Sequence, residues 1–315
     1  MRPDQNQLRA LAAAAGGTGS AEVLADRPEG TVLRLGEVVV KQHATRTDPA
    51  DLSRRLAAAS ALPDVMVASL GVPAGWAVAA PGVAALGDRV ATLWPAGTPV
   101  DPARPDDVPW TAAAELLARL HVASPAPGLP PHGGHARARR ALDRLSTTPG
   151  IGRADADAVT HAWSLLPHWL TGFPGQPGKP DLVGLSLHLT HGDWHLGQLL
   201  RVDRAWRLID VDDLGVGDPV WDLARPASWF ALGLLAPDTW AEFLDTYRAA
   251  GGPAVPPTGD PWPALDLPAR TLTVQAAAQG LVKAAREERE PDEVELLLVE
   301  SCRRMAAVAM LPGTP

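Results

Sequence analysis

The chain has 315 residues, is 46% hydrophobic and carries a formal net charge of −8 at pH 7, so it can bury a large core. The acidic balance argues against a general nucleic-acid binder, because phosphate backbones reward a basic face. A single cysteine, Cys302, excludes an intramolecular disulfide and a cysteine-rich zinc site.

The start, MRPDQNQLRALAAAAGG, lacks the basic residues and sustained apolar core of a secretory signal. No stretch reaches the ~18 apolar residues of a membrane span, so a cytoplasmic location is expected. Short strands follow at 21–25, 31–35 and 38–41, the last two joined by a Gly36-Glu37 turn, as in an antiparallel meander. Asp48-Pro49 supplies an N-cap and a first-turn proline, with Leu52, Leu56, Ala59 and Leu62 behind it at helical spacing. Extended segments are expected at 75–80 and 88–95.

Beyond the Pro/Asp-rich stretch 101–109 the pattern turns helical. Residues 110–121 carry Leu116, Leu117 and Leu120 on one face, and further helices are expected at 135–146, 153–170, 219–234, 238–249, 267–286 and 291–310. One β island interrupts them, with strands at 186–190, 198–202 and 206–210 and a turn at Asp203-Arg204. Pro- and Gly-rich loops are expected at 122–133, 171–181 and 251–263. No internal repeat is visible.

Basic charge rests on 25 Arg and three Lys, namely Lys41, Lys179 and Lys283. Lys41, placed after three valines in a strand, therefore calls for a reason, the plain alternative being a side chain that snorkels to solvent.

The most informative segments are His191-Gly-Asp-Trp-His-Leu-Gly-Gln198 and Leu208-Ile-Asp-Val-Asp-Asp213. Phosphoryl transfer needs a carboxylate to orient the attacking hydroxyl and accept its proton, and oxygen ligands that hold magnesium on the triphosphate. In protein kinases a catalytic-loop Asp precedes a metal-binding amide by five positions, and a second metal-binding Asp ends a short hairpin. Asp193 and Gln198 have that spacing, and the intervening hairpin delivers Asp210. Other readings exist: Asp193 as a turn residue, His191 and His195 as zinc ligands, or Asp210 and Asp212 as a phosphatase Asp-x-Asp. Gly192 and the preceding strand disfavour the histidine helix that zinc would need, and Leu214 stands where the phosphatase motif expects Thr or Val.

The chain resembles the aminoglycoside phosphotransferase family, which shares the protein-kinase-like fold with choline kinases and maltokinases. The residues that carry the likeness are HGDWHLGQ (191–198), LIDVDD (208–213) and GDPVWDLA (217–224), and more weakly 38–41, ATLWPAG (91–97) and LLARLH (116–121). The resemblance implies an α+β, bilobal fold, with a small antiparallel-sheet lobe over 1–96, a larger mainly helical lobe over 97–315, and ATP and Mg2+ in the cleft between them. It makes Asp193 the catalytic base and Gln198 and Asp210 the magnesium ligands. Lys41 would pair with the α/β-phosphates, and residues 93–96, including Leu93, Trp94 and Ala96, would receive the adenine. His191 and Asp222 would support the loop, Asp222 by accepting bonds from N–H groups around His191 and Gly192.

Three departures stand out. Gln198 replaces the usual Asn, as in the maltokinase and actinobacterial glucosamine kinase branches. The loop 26–30 has one glycine where a phosphate cover often has several. No Glu lies between Lys41 and Glu115, so the helix glutamate that usually holds the strand lysine is missing, leaving Asp51, Asp48 or the nucleotide itself. Seven residues separate Asp210 from Asp218, too few for the activation segment of a protein kinase. The expected acceptor is therefore small: a sugar, an amino sugar or an aminoglycoside, with Trp194 and Trp229 as candidate platforms. The rival reading is a catalytically inactive nucleotide-binding regulatory protein of the same fold.

Overall fold

In the computed structural model, which describes residues 3–27, 30–104, 107–167 and 187–309, the alternating segments of the first third form one antiparallel sheet. Its strands are β1 (Ala21–Arg27), β2 (Gly30–Leu35), β3 (Val38–Gln42), β4 (Val78–Ala80), β5 (Val83–Leu86) and β6 (Arg89–Pro95), in the order β1-β2-β3-β6-β5-β4. Side chains alternate across a strand, so Val38 and Val40 are buried on one face while Val39 and Lys41 point to the other. The first face is closed by α1 (Pro3–Ala14), whose Leu8, Leu11 and Ala12 pack with Leu33, Leu35, Val40 and Leu93. The second receives α2 (Pro49–Ser60) through Leu52 and Leu56. Asp48 caps α2, its carboxylate accepting from the N–H groups of Ala50 (2.7 Å) and Asp51 (3.0 Å).

The second part holds α3 (Trp110–Val122), α4 (Gly134–Thr147), α5 (Arg153–Ser164), α6 (Val220–Ala231), α7 (Pro237–Ala249), α8 (Trp262–Arg286) and α9 (Glu293–Ala309). Between them lie β8 (His188–Thr190), β9 (Leu199–Val202), β10 (Ala205–Leu208) and β11 (Gly215–Gly217), while β7 (Thr98–Pro99) comes directly after β6. Strands β10, β9 and β7 form one small sheet and β11 and β8 another. Asp203 and Arg204 turn the β9–β10 hairpin with positive φ of 48° and 68°. No helix among the described residues is long and apolar enough to cross a membrane.

Several expectations shift: the helix expected at 153–170 ends at Ser164 and the strand expected at 75–80 begins at Val78. The N-terminal segment forms α1, because its leucines meet the sheet; the Ala run alone did not announce a helix. Helix α8 starts at Trp262, five residues early, with Pro263 in its first turn and Pro268 carried inside it. Helix α6 starts at Val220, Asp218 standing just outside and accepting the Val220 N–H at 3.0 Å. The loop expected at 171–181, residues 168–170, 186 and 310 of the expected elements, and Pro28 and Glu29 of the 26–30 loop lie outside the described residues.

The hairpin is tied to the first part through backbone bonds. The Leu208 N–H donates to Val65 O (2.8 Å), and the Leu208 carbonyl accepts from Val67 N–H (2.9 Å). This joint sets the segment that begins at Asp210 beside β3.

Candidate active site

Strand β8 ends at Thr190, and the chain then turns through His191, Gly192 and Asp193. Gly192 has φ 82°, and a Cβ there would collide with the Asp213 carbonyl, so glycine is required on two counts. The turn is fastened by Asp222 in the first turn of α6: its carboxylate accepts from His191 N–H at 2.6 Å and Gly192 N–H at 2.8 Å. It is 1% exposed, and a carboxylate so buried requires full hydrogen bonding. The third donor is His121 of α3, whose Nε2 lies 2.9 Å from Asp222.

The His121 tautomer follows from its neighbours. Tyr247 OH accepts the Ala254 N–H (3.0 Å) and so donates its own proton to His121 Nδ1 (2.7 Å), leaving Nε2–H to donate to Asp222. Burial pushes the Asp222 carboxyl up, but the hydrogen bond from His121, together with that from the His191 N–H, outweighs it and leaves its pKa lowered. His121 was legible only as the end of LLARLH, with no role attached.

After Asp193 the chain makes a short 3-10 turn at Leu196–Gln198. His195 Nδ1 accepts from Gly197 N–H at 3.0 Å, and its Nε2 faces the Gln198 amide at 3.2 Å. Burial pushes the His195 pKa down to about 3, so the ring is neutral. Gln198 O accepts from Ile209 N–H (2.9 Å), and His191 Nε2 donates to Ile209 O (2.8 Å). The loop thus holds the residue that precedes Asp210. Asp210 itself has φ 69°, an uncommon conformation for a residue with a side chain.

Lys41 reaches this point from β3. Its Nζ lies 2.7 Å from Asp210 Oδ1 and 3.0 Å from Asp212 Oδ2. The open question of its partner is answered: neither Asp51 nor Asp48 holds it, the first pairing with Arg54 and the second capping α2. Burial pulls the Lys41 pKa down, but the two carboxylates outweigh it and raise it, and both carboxylates lie below their usual range. Asp212 is held further by His43, whose Nδ1 stands 2.9 Å away, and its carbonyl accepts from Arg55 of α2. The helix that lacks a glutamate contributes an arginine instead.

Asp193 feels the charge of Asp210 but has different neighbours. Its Oδ1 lies 3.2 Å from Arg225 Nη2 and its Oδ2 3.0 Å from Arg137 Nη2. Arg137 also donates through Nε to Asp213 (2.7 Å), and Arg140 Nη2 lies 3.9 Å from the same carboxylate. The side chain of Asp193 is 11% exposed, and burial outweighs the two arginines so that its pKa is raised. Helix α4, which brings Arg137 and Arg140, approaches closely because a Cβ at Gly133 would strike Asp213 and one at Gly134 would strike Trp221.

The structure therefore brings Lys41 onto Asp210, joins Gln198 through its backbone to the preceding Ile209, and sets His191 and Asp222 beneath the turn that carries Asp193. It adds His43, Arg55, Arg137, Arg140 and Arg225, which lie outside the motifs, and gives partners to His121, Asp212 and Asp213, which lie within them without an assigned role. Of residues 93–96, the Leu93 carbonyl accepts from Leu70 N–H (2.9 Å) and the Ala96 N–H donates to Glu37 O (2.9 Å), so these two groups are already engaged. Trp94 is buried, its Nε1 bonded to Thr92 Oγ1 (2.8 Å). Trp194 is 2% exposed and packs on Phe243 and Trp110, which makes it core and not a platform.

Among the described residues no three His, Cys, Asp or Glu side chains form an all-protein metal cage. Magnesium usually takes one or two carboxylates plus phosphate and water oxygens, and Asp210 with the Gln198 carbonyl fits that donor set.

The sequence matches the model of the phosphotransferase enzyme family over residues 23–265. Among solved structures the chain is similar to a choline/ethanolamine kinase family protein from Mesorhizobium loti, with 17% identity, 98% of this chain and 96% of that chain covered, and a TM-score of 0.56. It is also similar to the amicoumacin kinase hAmiN in complex with AMP-PNP, Ca2+ and Ami, with 14% identity, 98% and 94% coverage and a TM-score of 0.61. A third is a thermostable mutant of aminoglycoside phosphotransferase APH(4)-Ia in ternary complex with AMP-PNP and hygromycin B, with 13% identity, full coverage of both chains (100%) and a TM-score of 0.55. At such identities the likeness is one of fold, the α+β protein-kinase-like one. No curated protein matches the sequence at a significant level.

Proposed function

The chain belongs to the phosphotransferase enzyme family, and from that premise we propose that it moves the γ-phosphoryl group of ATP to a hydroxyl of a small molecule, with sugars, amino sugars and aminoglycosides as the acceptor classes to try. The observation that carries this reading is the meeting of Lys41, from the first sheet, with Asp210 and Asp212, from the far side of the hairpin, at 2.7 and 3.0 Å. In this reading the lobes are 1–96 and 97–315, and the nucleotide lies between them. Lys41 pairs with the α/β-phosphates, exchanging part of its bond to Asp210. Asp210 and Gln198 hold magnesium, which when bound neutralises charge on the phosphates. Leu93, Trp94 and Ala96 serve the adenine as walls, since the Leu93 carbonyl and Ala96 N–H are engaged elsewhere.

Asp193 orients the acceptor hydroxyl and accepts its proton. A base that is held on both oxygens has little freedom to turn, and positioning is most of what this chemistry asks of a protein. The test is release of ADP, coupled to an optical readout, across hexoses, amino sugars, aminoglycosides, choline and homoserine. Acceptor-dependent turnover that requires magnesium and disappears in Asp193→Asn is the expected result. ATP binding with no turnover for any acceptor would favour the inactive regulatory protein.

A further inference from the structure

Resting on the reading that Asp193 faces the acceptor, we propose that the acceptor carries an acidic oxyanion group, a carboxylate or a phosphate ester, near the hydroxyl that is phosphorylated, and that Arg140 and Arg137 hold that group. The ground is the charge inventory around Asp193. Within ion-pair distance, two carboxylates, Asp193 and Asp213, face three guanidinium groups, those of Arg137, Arg140 and Arg225, while Asp210, paired to Lys41, acts on Asp193 and Arg137 only through its charge. Arg137 and Arg225 account for both carboxylates. Arg140 is left over: among the described residues its only carboxylate neighbour is Asp213, at 3.9 Å and already bonded to Arg137.

Arg140 is not a solvated surface group, since its side chain is only 32% exposed. Burial lowers its pKa, and the like charges of Arg46, Arg137 and Arg144 act in the same direction. Arg46 belongs to the segment between β3 and α2, so positive charge borders the acceptor end from both parts of the fold. This local excess runs against the net charge of −8, and a cleft lined by one sign of charge concentrates ligands of the other.

A guanidinium offers a planar fork that matches a carboxylate or phosphate with two parallel bonds. A cationic acceptor finds the opposite: each carboxylate it could approach is already paired to an arginine, and the spare charge repels it. An aminoglycoside or a choline-like acceptor is therefore disfavoured, and an acid-bearing sugar or a hydroxy acid is favoured.

The test uses the full chain loaded with Mg–AMP-PNP, and calorimetry of glucose 6-phosphate, gluconate, 3-phosphoglycerate and inorganic sulfate against glucose, glucosamine and kanamycin. Magnesium-dependent binding of AMP-PNP comes first, and its absence would sink the phosphotransfer reading itself. The expected result is at least about tenfold tighter binding of an acidic compound than of its neutral counterpart. Arg140→Gln is expected to remove that preference while AMP-PNP affinity stays within about twofold. The phosphate-bearing and carboxylate-bearing compounds then separate the two forms of the acid. The proposal is overturned if no acidic compound binds, if glucose, glucosamine or kanamycin binds as tightly, or if Arg140→Gln weakens AMP-PNP instead, which would assign the arginine to the nucleotide. Arg137→Gln gives a second reading of the same preference.

Discussion

At the end of the site proposed for the nucleotide one ammonium, Lys41, serves two carboxylates, Asp210 and Asp212, while at the end proposed for the acceptor three guanidinium groups serve two carboxylates, Asp193 and Asp213. Counting Lys and Arg groups within ion-pair distance of these carboxylates, the first set has one cation for two and the second three for two, Arg55 reaching only the Asp212 carbonyl. Each end therefore lacks what its proposed occupant brings, magnesium in one case and an acidic acceptor in the other. Similar residues in one site are thus fitted for opposite partners, and the difference lies in which neighbours the fold sends to them: β3 sends a lysine, and α4 and α6 send arginines.

The largest effect should come from breaking the acceptor end at its centre. Asp193→Asn is expected to lower turnover by roughly a hundredfold or more, because a general base contributes about that much, while Mg–AMP-PNP affinity measured by calorimetry is unchanged. Near-normal turnover would remove Asp193 from the chemistry. Breaking the other end should show in the metal: Asp210→Ala is expected to abolish the magnesium dependence of ATP binding, and Gln198→Ala to weaken it. If Mg–ATP affinity survives in both, the metal is held elsewhere.

A fourth substitution acts on the support beneath the catalytic-loop turn. Asp222→Ala strands three donors, the N–H groups of His191 and Gly192 and Nε2–H of His121, and an unsatisfied buried group costs about 1–3 kcal/mol. Thermal melting should fall by several degrees and activity with it. The sign with pH is fixed by the lowered pKa of Asp222. Its stabilisation is present above the usual carboxylate range and is lost as pH falls through the lowered value, so parent and variant should converge in strong acid. A variant that melts like the parent but fails to bind Mg–ATP would make Asp222 a ligand.

The nucleotide end was more legible in the sequence than the acceptor end, for a physical reason. Gln198 and Asp210 lie in one contiguous loop and hairpin, so their relation is set by local spacing, and Lys41 was conspicuous because lysine is rare here and stood in an apolar strand. The surplus charge at Asp193 comes from helices distant in sequence, α4 and α6, and arginine is so common in this chain that Arg137 and Arg225 gave no local signal. The overall net charge gave no signal of it for the same reason: a sum over 315 residues says little about a site of five. Helix α1 escaped notice because its helical state depends on leucines meeting a sheet that only the fold supplies.

Lys41→Ala should sharpen the nucleotide side with a smaller effect, a rise in the KM for ATP of roughly tenfold, as expected for a lost ion pair of about 1.4 kcal/mol. Unchanged ATP kinetics would return Lys41 to a structural pair with Asp210 and Asp212.

The smallest effect is also the most direct reading of the arginines. Asp193 must be ionised to accept a proton, so kcat/KM falls as pH drops through its pKa. Burial raises that pKa while Arg137 and Arg225 oppose the rise, and the acid limb should therefore lie above the ordinary carboxylate range. Arg137→Gln takes away one opposing cation and also frees Asp213, whose negative charge raises the Asp193 pKa. Both changes act in one direction, so the limb should move further toward neutral pH. Arg140 touches Asp213 only at 3.9 Å and does not contact Asp193, so Arg140→Gln should move the limb less than Arg137→Gln while having the larger effect on the preference for acidic acceptors. A limb that stays in place in Arg137→Gln, or moves to lower pH, would mean that the titrating group is not Asp193 or that Arg137 is not its counter-ion, and the contrast between the two ends would then rest on Arg225 and Arg140 alone.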